Sequence, residues 1–228
     1  MVLKFKPQFW RDINKISIVL FVLSLLVALG FKRSNFFERE HLQLSANENH
    51  ARWLKAKPDF SKFKSGDLIF RHGRGFISNA LMSMGQREKK YSHAGIISVE
   101  NGNVYVYHAI GGEQNTSNKL RKDMLEDFCS PEDVHAFGIY RSDLSTMQLE
   151  TVIHKAKTYF KAGLEFDTKF DLLSDDKMYC TEFIYKIFSG IPGNENYISL
   201  SAVGSRHYVS CDDIYLNYHF KSIFTYTY

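Results

Sequence analysis

The dipeptide Asn101-Gly102 constrains the fold of this chain more than any other feature. It sits between two β-rich runs within Ser92–Ala109, SHAGIISVENGNVYVYHA. Both residues tolerate positive φ, and a two-residue turn of this kind matches the twist of an antiparallel pair. The turn pairs Glu100 with Asn103, so Val99 faces Val104, Ile97 faces Val106, Gly95 faces His108 and His93 faces Ile110. Strand alternation then gathers His93, Gly95, Ile97 and Val99 on one face with Val104, Val106, His108 and Ile110. That face is apolar, with two histidines at the end away from the turn, diagonal neighbours roughly 7–8 Å apart. Gly95 has no side chain to separate them. A lone buried histidine is ordinarily a satisfied core residue, whereas two converging on an apolar surface point to chemistry.

A second informative stretch is Tyr179–Gly190, YCTEFIYKIFSG. Phe183, Ile184, Ile187 and Phe188 recur at helical spacing, and Gly190 is a stop signal. Cys180 therefore opens an amphipathic helix, where the dipole and unpaired N–H groups favour thiolate. Glu182 in the first turn opposes that effect and is placed to cap the helix backbone instead. On this stretch alone a buried structural cysteine is the more ordinary reading.

One cysteine at a helix start and two histidines on an adjoining strand pair are the parts of a thiol acyl-transfer site. The thiolate attacks a carbonyl, one imidazole moves the proton and the other orients it. N–H groups at the helix start suit an oxyanion, and Tyr91, Tyr179 and Thr181 flank the histidine and cysteine as candidate oxyanion or substrate-binding groups. Two competing readings stay open. His93, His108 and Cys180 are zinc-ligand types, although no close-spaced pair and no clear fourth ligand accompany them. A non-catalytic binding domain is the other. No cofactor is expected for the thiol reading.

The quoted segments also resemble a known family. Ser65-Gly66-Asp67-Leu68-Ile69-Phe70, Tyr91-Ser92-His93-Ala94-Gly95-Ile96, Tyr107-His108-Ala109, Gly163-Leu164-Glu165-Phe166-Asp167 and Tyr179-Cys180-Thr181-Glu182 are similar, in this order, to the permuted papain-like NlpC-type superfamily. The nearest branch is the YiiX/YaeF-like amidases, with lecithin:retinol acyltransferase-like enzymes more distant. The resemblance covers about residues 65–220. It implies an α+β, circularly permuted papain-like fold with an antiparallel sheet against the cysteine helix. It implies Cys180 as nucleophile, His93 as base and His108 as the third polar residue. It also implies cleavage or transfer at amide or ester bonds of peptide, peptidoglycan-fragment or lipid substrates. YiiX-like relatives often carry Glu at the position of His108, and Thr181 replaces a common Ser.

Charge separates the N-terminus from the rest. Residues 1–33 hold Lys4, Lys6, Arg11, Lys15, Lys32 and Arg33 against Asp12, so the +4 of the whole chain belongs to that segment, and the remainder is close to neutral. No nucleic-acid footprint is present. Ile16–Phe31 is uncharged and apolar, and counted from Ile13 it is long enough for a bilayer core of roughly 30 Å. Basic residues before it predict a cytoplasmic N-terminus. Residues 1–33 thus read as a membrane anchor, spanning through 13–31, with the domain extracytoplasmic or periplasmic; a cleaved signal peptide and a buried helix are the alternatives.

Residues 34–64 read as a connector with a short helix around Glu48–Lys55, and 65–228 as the catalytic domain. Within it, Leu68–Phe70 and Val134–Tyr140 predict strands, Phe76–Met84 and Ser145–Phe160 helices, and 110–133 a charged lid-like loop. Cys211-Asp212-Asp213 opens a last helix or strand. Cys129 and Cys211 either pair or stay free beside Cys180.

Overall fold

The computed structural model describes residues 47–228 apart from 57, 75, 112–114 and 116. The anchor expected over 1–33 lies outside the described residues. Among the described residues, no helix is long and apolar enough to cross a membrane.

The compact unit runs from Ala51 to Tyr228. Its centre is an antiparallel sheet of β1 (Leu68–Gly73), β2 (His93–Glu100), β3 (Asn103–His108), β4 (Arg121–Met124), β5 (Val134–Ser142) and β8 (Phe220–Thr227). Their order across the sheet is β4-β3-β2-β1-β5-β8. Asn101 and Gly102 both hold positive φ, 50° and 81°, as the turn requires. The expected register follows, from Glu100 opposite Asn103 to Ile97 opposite Val106.

Alternation splits the sheet between two cores. One face carries Leu68, Phe70, Ala94, Ile96 and Tyr107. It is covered by α4 (Thr146–Ala162), α5 (Cys180–Ser189) and α6 (Cys211–Tyr215). Helix α2 (Phe76–Met82) follows β1, and the opposite face carries Ile69, Ile97, Val106, Phe137 and Ile139 and packs on α3 (Leu125–Phe128). Trp53 and Ala56, from a helix α1 over residues 47–56, and Phe63 complete that second core. Residues 51–64, read from sequence as a connector, thus supply core side chains.

The lid expected over 110–133 is corrected in part. Arg121–Met124 pairs with β3 and Leu125–Phe128 turns helical, because Leu120, Leu125 and Phe128 have apolar surface to bury. α4 begins on a capping box between Ser145 and Gln148 and ends at left-handed Gly163, which satisfies its terminal backbone groups. A small hairpin, β6 (Ser201–Val203) with β7 (Arg206–Tyr208), precedes α6. The cysteines are all free and buried, and Cys129 and Cys211 lie in different cores on opposite sides of the sheet.

Candidate active site

Neighbouring strands set four polar side chains in a row. Asp123 is on β4, His108 on β3, His93 on β2 and Arg71 on β1, directly opposite His93 in the register. All belong to the face of the second core, where the Phe128 ring is their floor. His93 stacks on it with centroids 5.6 Å apart, His108 meets it edge-on at 5.0 Å, and the Arg71 guanidinium lies 4.6 Å above it.

The histidines are in closer contact than strand spacing alone implies. His93 Nε2 and His108 Nδ1 are 2.9 Å apart, and His108 Nε2 is 2.9 Å from Asp123 Oδ2. Arg121 grips the other carboxylate oxygen through Nε at 3.1 Å and an Nη at 2.8 Å. Gly95 makes the approach feasible, because a Cβ there would lie 3.3 Å from His108 Cβ and 2.4 Å from a Val106 methyl.

Donors and acceptors in this chain run only one way. Burial works against the charge of Asp123, but the bonds from His108 and Arg121 outweigh it and hold its carboxyl below the usual range. An ionised carboxylate only accepts, so His108 carries its proton on Nε2 and accepts at Nδ1. His93 must then donate from Nε2, which leaves a lone pair on His93 Nδ1. Burial keeps both rings neutral: it holds His93 well below the usual imidazole range, helped by the Arg71 charge, and pushes His108 down to about 4 against the pull of Asp123.

Cys180 heads α5 on the other face, level with the start of β2. Burial raises its thiol above the ordinary value, and the N–H groups of Ala94, Thr181 and Cys180 itself act against that rise. The sulfur therefore faces the backbone of the residue next to His93. Among the described residues no hydrogen bond joins the sulfur to either histidine. Glu182 caps the helix, accepting from the Tyr179 N–H at 3.1 Å and pairing with Lys186 at 3.0 Å.

The other sequence candidates hold the scaffold. Thr181 Oγ1 donates to the Val209 carbonyl at 2.7 Å, and Tyr179 Oη accepts from the Val209 N–H at 3.0 Å. Both side chains thereby clamp the segment entering α6 to the cysteine helix. The Tyr91 ring packs among Phe70, Tyr140 and Tyr215, and its Oη occupies space that only glycine leaves free at Gly138. Asp123, Arg121 and Arg71 escaped the sequence reading. The available signal was spacing: Arg121 and Asp123 alternate within LRKDM and thus share one strand face.

A family model described as "Permuted papain-like amidase enzyme, YaeF/YiiX, C92 family" matches residues 62–202. The chain belongs to this family. The uncharacterized protein YiiX of Escherichia coli strain K12 is 27% identical over 132 residues, covering 57% of this chain and 59% of that protein. The match thus spans less than two thirds of the relative. The crystal structure of metalloprotein YiiX from Escherichia coli O157:H7 superposes with a TM-score of 0.59, at 18% identity, over 72% of this chain and 98% of that one. That likeness is one of fold, and it agrees with the α+β arrangement and antiparallel sheet of the permuted papain-like type. Membership makes this chain a thiol-hydrolase relative in general.

Proposed function

We propose that the chain is a cysteine amidase or peptidase acting on amide bonds of peptide-type substrates, with Cys180 as nucleophile and His93 as base. The observation that carries this reading is the hydrogen-bonded line from Asp123 through His108 to His93, which leaves His93 Nδ1 free to accept a proton, on the strand whose Ala94 N–H faces the Cys180 sulfur. In the proposed reaction His93 Nδ1 takes the thiol proton and the sulfur attacks the carbonyl carbon. The Cys180 N–H donates to the developing oxyanion. The imidazolium returns its proton to the leaving amine, and water activated by His93 then cleaves the thioester. His108 and Asp123 hold the base in its tautomer. The thiol and His93 rest apart and neutral, and catalytic hydrogen bonds commonly close only with substrate in place. Ester or lipid substrates need the same attack, and a substrate panel separates them from peptides.

The solved YiiX structure is titled a metalloprotein. The histidine pair of this chain does not suit a metal ion. Both facing nitrogens of the histidine pair are committed to one hydrogen bond, and the outer nitrogen of His108 is committed to Asp123. Among the described residues no group of three or more His, Cys, Asp or Glu is disposed to hold an ion.

The test is hydrolysis by single variants of the full chain. Cys180→Ala should abolish turnover, and His93→Ala should lower kcat/KM by roughly 10²–10⁴, each with an unchanged circular dichroism spectrum. Full activity in Cys180→Ala would end the proposal.

A further inference from the structure

Arg71 is a buried cation with no anion bonded to it among the described residues. Its residue is 9% exposed, and burial depresses the guanidinium's pKa. Nη1 donates to the Phe128 carbonyl at 3.0 Å, while the buried Nε has no hydrogen-bond partner. Among the described residues no acid lies within ion-pair distance. Asp133 and Asp123 act on it from further away, Arg121 opposes them, and the neighbouring Cys129 thiol is kept neutral by burial. Buried charges are normally paired, because desolvation costs several kcal/mol per ion. No described residue pairs this one. It stands opposite His93 in the register, and its charge reaches both His93 and the Cys180 sulfur.

We infer that Arg71 receives a carboxylate of the substrate, so that the scissile amide lies next to a free acid group. A guanidinium presents donors in a fixed fork suited to a carboxylate, and the unused Nε is one of them. This specificity role rests on the acyl-transfer reading of Cys180. The Phe128 ring backs the guanidinium, and the ligand contributes the missing charge once the side chains around the buried Nε open to admit it.

Two probes of nearly equal shape test it. Iodoacetate and iodoacetamide alkylate the same thiol but differ in charge, and peptide mapping locates the label at Cys180. The ratio of their rates should fall at least about tenfold in Arg71→Met relative to wild type, because a hydrogen bond to a charged group contributes about 1.5–3 kcal/mol. Arg71→Lys, which keeps the charge but not the fork, should give an intermediate ratio. Melting curves of wild type and Arg71→Met check the fold. They also test N-acetylalanine, N-acetylglutamic acid α-amide and N-acetylalaninamide as ligands. A rise in Tm with the first points to an α-carboxylate, and with the second to a side-chain acid. The uncharged third should do nothing, and Arg71→Met should respond to none. An unchanged alkylation ratio in Arg71→Met overturns the proposal. If Cys180 resists both reagents, the nucleophile reading falls, and the melting shifts decide on Arg71 alone: no carboxylate-dependent shift overturns it.

Discussion

At the scale of single residues the decisive group is Asp123, because it sets the direction of every proton downstream. An amide in its place can present N–H to His108 and turn both rings over, which moves the free lone pair away from the thiol. Asp123→Asn should therefore lower kcat/KM by roughly 10²–10⁴, the range of a misoriented base, while iodoacetamide still labels Cys180. Steady-state kinetics beside the labelling rate check it. The wild-type pH profile follows from the same groups. As the proposed base, His93 serves only when neutral, and its folded value lies well below 6.5. The acid limb of kcat/KM should thus fall below pH 6.5, with activity lost as pH drops through the folded value. Because burial raises the thiol, its alkylation by iodoacetamide should climb into the alkaline range. A plateau of labelling from pH 5 upward would instead reveal a resting thiolate–imidazolium pair.

At the scale of elements, the β2–β3 hairpin brings the histidines together, and Gly95 governs their separation. A methyl group there would meet Val106 Cγ1 at 2.4 Å and the Tyr107 carbonyl at 3.2 Å. Backbone cannot retreat as a side-chain tip can, so Gly95→Ala should cost about 1–3 kcal/mol in overpacking and lengthen the His93–His108 bond. A urea titration together with turnover measurements tests both effects. This hairpin was legible in the sequence because the Asn101-Gly102 turn fixes its register locally. The α5 helix was legible because its apolar period and Glu182 cap are local too. β4 was not. Its residues Arg121–Met124 are charged and few, and their strand state comes from pairing with Tyr105–His108 and from burial of the flanking Leu120 and Leu125. Arg71 escaped for a related reason: it ends the apolar run of β1, and only the sheet reveals that it stands across from His93. Placement of Tyr179 and Thr181 near the thiol was visible, but their grip on Val209 depends on a segment 28 or more residues away.

At the scale of the whole molecule, the sheet needs covering on both faces, and residues before Ser65 cover part of one. Trp53, Ala56 and Phe63 are all buried against it. A chain starting at residue 47 should melt like the full protein. One starting at residue 65 should lose roughly 3–6 kcal/mol, since burying each large apolar side chain stabilises by about 1.5–3 kcal/mol. Urea unfolding of the series measures this. Fractionation of the same series tests the anchor: the full chain should sediment with membranes and the chain from residue 47 should not. The position of β4 carries a further consequence. Asp123 rides on the outermost strand of its side of the sheet, held there by a ladder of four residues. Such margins fray at lower free energy than the interior of a fold. A fraying event there would detach the carboxylate from His108 and, on the proposed mechanism, idle the base while the rest of the molecule stays intact. Heat should therefore silence the proposed activity before it melts the fold, which turnover and circular dichroism followed along one temperature ramp would show.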